Sequence, residues 1–146
     1  MAGTDEMLCF SLYAATRATT QAYRRVLEPW GLTYPQYLVL VSLWTRGARS
    51  VGDIGDELML DSGTLSPLLR RLEQRGLVTR TRRGADERIV DVDLTAKGVA
   101  LRDEMREVPA RIATCMGIDL PTARALLDSL HALTRQLQDI PEAHAS

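Results

Sequence analysis

The sequence predicts a mainly α-helical fold with a small β-hairpin. Alanine and leucine are abundant among the 146 residues and aromatic residues make up 5%, a composition that favours helices over sheets. Apolar residues recur every three or four positions in six segments, which is the period of a helix that faces a core. Two short segments of alternating apolar and polar residues flank the turn at residues 84–87, and such a pair predicts a hairpin. The length fits one domain, so we expect residues 1–146 to form a single one.

The first two helices are bounded by residues that start and stop helices. The first is predicted over residues 4–30, because apolar side chains follow helical spacing up to Pro29 and Gly31, which end it. Thr33 is then a suitable N-terminal cap for a second, mostly buried helix that ends near Gly47.

Residues 48–94 contain a short helix, a tight turn, a second helix and the hairpin, in that order. The short helix is expected at about 51–59, where Ser50 forms a capping box with the acid three residues later. The strands are expected at 77–83 and 88–94. This order is that of a winged helix-turn-helix.

Proline interrupts the fourth helix, which stops at Gly76. An interior proline loses a backbone hydrogen bond and costs about 3 kcal/mol. Capping rules alone therefore start this helix at Ser66, with Pro67 at its first position. A start near Ser62 requires a bend or an irregular first turn.

Two more helices are predicted within residues 95–140. Thr95 caps a long fifth helix that Pro109 kinks, and Pro121 lies in the first turn of the sixth. The apolar residues of both recur at alternating four and three positions, which indicates a seam for helix–helix packing. With residues 4–30, these helices are expected to hold an intertwined homodimer together.

Positive charge is concentrated between Arg70 and Arg88. The formal net charge is −1, yet this segment carries seven arginines and three acids, so it is +4 and the rest of the chain about −5. Such segregation is typical of a surface that binds double-stranded DNA, with the fourth helix in the major groove and the hairpin in the minor groove. On charge alone, a merely solvated surface stays an open alternative. The candidate contacts are Ser62, Thr64, Ser66, Arg70, Arg71, Arg80, Arg82, Arg83 and Arg88.

Several classes are excluded by what the sequence lacks. The acidic start does not resemble a secretory signal, and no apolar run is long enough to span a membrane, so a cytoplasmic protein is expected. Its two cysteines, Cys9 and Cys115, are expected to rest as thiols there, and a disulfide between them would be conditional. No set of ligating residues has metal spacing, and neither a metal nor a cofactor is expected.

Residues 60–98 resemble the recognition helix and wing of the MarR family of regulators, and the similarity extends over nearly the whole chain. The segment includes the family's Asp-x-Arg wing signature, here Asp86 and Arg88, followed by Leu94 and Thr95. The resemblance implies a transcription regulator rather than an enzyme. It also implies a dimer on a near-palindromic operator, with Arg88 entering the minor groove.

Residues 8–44 are similar to the OhrR branch of that family, whose members sense organic hydroperoxides. This resemblance implies that Cys9 is the peroxidatic cysteine and that Cys115 is its resolving partner. It further implies two tyrosines that hydrogen-bond the sulfur and a third nearby: Tyr23 and Tyr34, with Tyr13 close to them.

Helix geometry constrains this sensor. Cys9 lies in an early turn of the first helix, where the positive helix end favours a thiolate. Tyr23 follows it by 14 residues, about 21 Å along a continuous helix. It can therefore reach the sulfur only from a second chain. The tyrosines and Cys115 are equally explained as core residues.

The expected mechanism is repression by the reduced dimer. A hydroperoxide oxidises Cys9 to a sulfenic acid, Cys115 of the other subunit condenses with it, and the DNA is released. One alternative is a MarR-type repressor released by a small aromatic ligand. Another is a thiol peroxidase with Cys9 as the catalyst, but it leaves the arginine-rich hairpin without a role, and Arg17 lies two turns from Cys9.

Overall fold

The computed structural model describes residues 3–83 and 86–139. This part of the chain forms seven α-helices and three short strands, which confirms the predicted mainly α-helical fold with a hairpin. The predicted turn residues Gly84 and Ala85 lie outside the described residues, as do the side chains of Asp86 and Arg88. The elements are α1 (Leu8–Leu27), α2 (Tyr34–Arg46), β1 (Arg49–Ser50), α3 (Val51–Leu58), α4 (Ser62–Gln74), β2 (Val78–Arg83), β3 (Asp86–Leu94), α5 (Ala96–Glu104), α6 (Val108–Met116) and α7 (Leu120–Gln138).

The strands form one antiparallel sheet in the order β1-β3-β2. In the hairpin, Thr79 pairs with Asp93 and Arg82 with Val90, and the register is irregular after Arg82. Such an irregularity bends a strand and increases its twist. The third strand, β1, was not predicted, because two residues are too few to show an alternating pattern.

The predicted long fifth helix is wrong in one respect: it is two helices, α5 and α6, so residues 3–83 and 86–139 form seven α-helices where six were predicted. The break comes at residues 105–107, just before Pro109. Proline has no N–H, and its ring clashes with the carbonyl four residues earlier, which here belongs to Met105. The Val108 N–H bonds instead to the Met105 carbonyl, at 3.0 Å. Pro109 therefore ends a helix that it was expected only to kink.

The start of α4 at Ser66, expected from capping rules, is also wrong. The helix begins at Ser62, because the Asp61 carboxylate accepts the backbone N–H of Thr64 at 2.9 Å, and Pro67 lies inside it. Three leucines of this helix are buried, and each contributes about 1.5–3 kcal/mol. Together they exceed the proline penalty of about 3 kcal/mol. These leucines are Leu65, Leu69 and Leu72.

Two compact units divide the chain, Met1–Ile112 and Ala113–Ser146. The first contains the core, to which α2, α4 and the strands contribute most. Its fully buried side chains include Leu27, Val39, Leu40, Leu43, Ile54, Leu72, Val78, Val92 and Val108. Trp30 and Trp44 pack against this core, as expected of core aromatics.

The second unit consists mainly of α7. Asp119 caps this helix by accepting the Thr122 N–H at 2.8 Å, and no residue of the helix is buried in the chain. The two ends of its leucine seam are exposed, with 51% of Leu126 and 57% of Leu137 accessible, and Leu130 and Leu133 between them are half-buried. None of the helices in residues 3–83 and 86–139 has the length and apolarity needed to cross a membrane.

Candidate functional site

The start of α4 presents small hydroxyls to solvent. Ser62 and Thr64 are exposed and Ser66 is half-buried. The Asp61 carboxylate accepts both the backbone N–H and the hydroxyl of Thr64, each at 2.9 Å. The pKa of Asp61 is lowered mainly by that N–H, so the cap is ionised at neutral pH. The Thr64 oxygen keeps only its acceptor capacity, while Ser62 is free to donate or accept.

An open groove of about 790 Å³ runs between α3, α4 and the strands. Ser62 and Ser66 line one wall, and Arg80 and Arg83 of β2 line another. The groove therefore combines hydroxyls that suit base edges with guanidinium groups that suit phosphates.

Two of the predicted DNA-contacting arginines are held by acids of the same chain. Two of the three guanidinium nitrogens of Arg80, Nε and Nη2, donate to Glu73 Oε2, at 3.0 and 2.7 Å. Arg83 donates to both carboxylate oxygens of Asp91, at 2.9 and 2.6 Å. These contacts lower the pKa of Glu73 and raise that of Arg83. Because each guanidinium is matched by a carboxylate, these two arginines add less net charge to the surface than the sequence suggested.

The remaining arginines of the segment differ in their surroundings. Arg75 is an anchor, because it donates to the carbonyls of Gly31 at 3.0 Å and Trp30 at 2.5 Å. Arg70 and Arg71 are exposed, and neither has a hydrogen-bond or ion-pair partner among the described residues. Arg82 is exposed too. Within this segment, the second half of α4 thus carries two exposed arginine side chains, Arg70 and Arg71, that pair with no acid of the described residues.

A second ion-pair cluster, not found from the sequence, braces α3 against α2. The buried hydroxyl of Ser42 donates to Glu57 Oε2 at 2.6 Å, and Arg46 donates to Oε1 at 3.0 Å. Arg49 also pairs with Glu57. The Ser42 hydroxyl and the Arg46 contact lower the pKa of Glu57. The residues of this cluster lie on α2, β1 and α3, at most 15 positions apart in the sequence. Their spacing does not repeat at a helical or strand period, so the sequence alone did not indicate the cluster.

Cys9 is exposed and is the second residue of α1. The N–H groups of the first helical turn have no partner within the helix, so the helix end carries partial positive charge. Cys115, on α6, is likewise a free and exposed thiol, so it is not a core residue of this chain.

The tyrosines fall into two groups. Tyr23 and Tyr34 stack with ring centroids 4.0 Å apart, and Tyr37 lies 5.8 Å from Tyr23. Burial, together with these neighbours, raises the pKa of Tyr23 to about 12, so its hydroxyl keeps its proton at neutral pH. Tyr13 is separate, more than half exposed, and its hydroxyl accepts a hydrogen bond from Arg17 Nη1 at 2.8 Å.

The unbroken α1 separates the sulfur from the stacked pair. The helix runs from Leu8 to Leu27, so Cys9 and Tyr23 lie about 21 Å apart along its axis. The structure thus places Tyr23 and Tyr34 together, and Cys9 near Tyr13, but it does not join the two groups within one chain.

Comparisons with known proteins agree with this architecture. Residues 32–90 match the model of the MarR family. The HTH-type transcriptional regulator TtmR of Methylorubrum extorquens is 46% identical over 148 residues, which cover 97% of this chain and 76% of that protein. The organic hydroperoxide resistance transcriptional regulator of Bacillus subtilis is 41% identical over 134 residues, covering 87% and 91%.

The solved structure of reduced AbfR bound to DNA has a TM-score of 0.77 and 35% identity, and covers 90% of this chain and 92% of that one. Disulfide-formed AbfR matches with a TM-score of 0.63 and 36% identity, covering 90% and 87%. The winged helix-turn-helix architecture and these relatives indicate the same family. The chain belongs to the MarR family of transcription regulators.

Proposed function

We propose that the protein is a homodimeric repressor that binds a near-palindromic operator and releases it when an organic hydroperoxide oxidises Cys9. The observation that carries this proposal is the exposed Cys9 thiol at the positive end of α1. Its support from outside the chain is the 41% identity to the organic hydroperoxide regulator of Bacillus subtilis.

DNA reading is assigned to α4 and the hairpin. Ser62, Thr64 and Ser66 approach the bases in the major groove, and Arg70 and Arg71 contact phosphates. The hairpin reaches the adjacent minor groove, where Arg82 and Arg88 enter or flank it. Arg80 and Arg83 contribute mainly by holding the strands in place, because each is paired with an acid.

A second copy of the chain completes the sensor. Cys9 cannot reach the Tyr23–Tyr34 pair along the unbroken α1. Large apolar side chains next to it, Leu8 and Phe10, are 65% and 43% exposed, and four leucines of α7 are exposed as well: Leu120, Leu126, Leu127 and Leu137. Uncovered apolar faces of this size mark contact surfaces. In the dimer, the tyrosines of one chain donate hydrogen bonds to the sulfur of the other, and these bonds favour the thiolate.

Oxidation changes both the charge and the covalent state of this site. The thiolate becomes a sulfenic acid, which removes the charge that the tyrosine hydroxyls stabilised. Cys115 of the second chain then condenses with it, forming an intersubunit disulfide and releasing water. The disulfide holds the two α4 helices of the dimer at a spacing that no longer matches successive half-sites of the operator, so DNA affinity falls.

The test is a DNA-binding titration of the purified protein with an operator selected from random duplexes, at fixed salt, before and after cumene hydroperoxide. The wild type is expected to lose affinity on oxidation, whereas Cys9→Ser binds equally well in both conditions. Cys115→Ser is expected to lose the dimer-sized band on a non-reducing gel. A normal peroxide response in Cys9→Ser contradicts the sensor. Release by an aromatic acid without cysteine dependence favours a ligand-controlled repressor, and repeated turnover of peroxide with a thiol reductant favours a peroxidase.

A further inference from the structure

Tyr13 and Arg17 form a polar pair on the surface of α1, one and two turns after Cys9. Arg17 Nη1 donates to the Tyr13 hydroxyl oxygen at 2.8 Å. Its guanidinium carbon also lies 5.6 Å from the centroid of the tyrosine ring, within the range of a cation–π contact. Two contacts from one guanidinium fix the position of the Tyr13 hydroxyl more closely than one would.

The chemistry of the pair determines where the tyrosine proton points. A guanidinium donates five hydrogen bonds and accepts none. Tyr13 Oη is therefore the acceptor in this contact, and its own proton is directed elsewhere. Among the described residues, no group accepts that proton, so the hydroxyl is an unused donor.

Tyr13 and Arg17 share one face of α1 with Cys9. Residues four apart on a helix lie on the same face, with Cβ atoms about 5–6 Å apart, and Cys9, Tyr13 and Arg17 follow this spacing. Helical side chains lean toward the N-terminus. Tyr13 accordingly leans over the preceding turn, where the ring of Phe10 lies 6.3 Å from its own.

We propose that Arg17 is a positioning residue for the oxidation of Cys9: it orients the Tyr13 hydroxyl so that this group protonates the oxygen that leaves the peroxide. The inference rests on the proposed function of Cys9. It also gives Arg17 a role that distance from Cys9 alone did not suggest, because Arg17 acts through Tyr13.

The reaction balances with these groups. The thiolate sulfur attacks the terminal peroxide oxygen, an S–O bond forms and the O–O bond breaks. The sulfur loses two electrons and the peroxide gains them, so the products are the sulfenic acid and an alkoxide. The Tyr13 proton neutralises the alkoxide to an alcohol, Arg17 offsets the negative charge left on the Tyr13 oxygen, and water returns the proton.

A comparison of two oxidants isolates this step. An alkoxide is a poor leaving group that benefits from protonation, whereas the carboxylate that leaves a peroxy acid does not require it. The rate of Cys9 oxidation is measured by thiol alkylation and mass spectrometry, with tert-butyl hydroperoxide and with peracetic acid. In Arg17→Gln, oxidation by tert-butyl hydroperoxide is expected to slow roughly 100-fold, and that by peracetic acid less than about threefold.

Four further variants control for folding and for charge. Tyr13→Phe is expected to show the same selective loss, and adding Arg17→Gln to it produces little further loss, because the two residues act as a unit. Arg17→Lys keeps a cationic donor and restores part of the rate. Arg24→Gln removes an equal charge from the same helix, where Arg24 has no partner among the described residues, and leaves both rates unchanged.

The outcomes separate this inference from the proposed function. Equal slowing with both oxidants in Arg17→Gln, or no slowing with either, overturns the positioning role while the sensor stands. If neither oxidant modifies Cys9 in the wild type, the sensor falls and this inference falls with it.

Discussion

The winged region and the terminal helices of this chain differ in how their apolar side chains are covered. Between α2 and β3, leucines and valines such as Leu43, Leu72 and Val92 are almost fully buried. In contrast, α7 has no buried residue, and the first half of α1 exposes Leu8 and Phe10. Both regions have clear apolar periodicity, so periodicity alone does not tell which surface covers an apolar face.

This difference indicates that the two regions have different roles. One chain is enough to form the winged region, because the core and the ion pairs of this region lie within Met1–Ile112. The exposed faces are explained by a second copy, under the proposed function. Substitutions in the winged region should therefore act on stability or DNA contact, and substitutions in the terminal helices on association and sensing.

The largest expected effect is in the core of the winged region. Leu72 is fully buried in α4, and Leu72→Ala leaves a cavity that lowers the free energy of unfolding by about 2–5 kcal/mol. Denaturant titration measures the change. The matched control is Leu137→Ala, because Leu137 of α7 is 57% exposed in the chain and loses less packing. Equal costs at the two positions would remove the contrast between the regions.

The next effect is on association. Leu126 is 51% exposed on α7, and a buried carboxylate in a dimer interface would be costly. Leu126→Glu is therefore expected to weaken the dimer at least about tenfold, a change of about 1.4 kcal/mol. Sedimentation over a range of concentrations measures it. Arg124→Glu, on the opposite side of the helix, is the control, and identical sedimentation of the two variants would contradict an interface at this seam.

A smaller effect sharpens the description of the DNA surface. Glu73→Gln releases Arg80 from its ion pair, so one more cation can contact phosphate. The slope of log affinity against log salt is expected to steepen by about 1. Glu104→Gln changes the net charge equally, at an acid of α5 without a partner among the described residues, and leaves the slope unchanged. Fluorescence anisotropy with labelled duplex measures both, and a common increase in slope would indicate a general charge effect.

The smallest effect is on the pH dependence of stability. The pKa of Glu57 is lowered in the folded protein from its ordinary 4.5, first by the Ser42 hydroxyl and then by Arg46. Its contacts therefore stabilise the fold above pH 4.5 and are lost as the pH falls below it. The expected loss is at most about 1 kcal/mol. Denaturant titrations between pH 6 and 3 test this, since Glu57→Gln should remove that part of the acid dependence.

Local sequence signals predicted most elements correctly. The caps at Thr33, Ser50 and Thr95 lie where their side chains accept backbone N–H groups, as expected. The two wrong predictions both involve proline. Pro67 is retained inside α4 beside buried leucines. The chain breaks before Pro109 although Met105 and Val108 next to it are buried as well, so burial alone does not decide whether a proline ends a helix.

The candidate site was predicted in part. Its residue types and charge segregation were visible in the sequence. Ser62, Thr64 and Arg70 are exposed on α4, and their contact with DNA stays a prediction. The acid partners of Arg80 and Arg83 were not predicted, because their pairing depends on how α4 and two strands pack. The hydrogen bond from Arg17 to Tyr13 was not predicted either, because the spacing of residues does not determine which of several neighbouring groups a guanidinium contacts.

By itself, the sequence determined the helical periods, the caps, the order of elements and the position of Cys9 at a helix start, because each depends on neighbours within a few residues. Only the tertiary structure decided which arginines are paired, which apolar faces stay exposed, and whether a proline breaks its helix. These outcomes depend on residues far apart in the chain, and on a balance between burial and local backbone cost that no single segment contains.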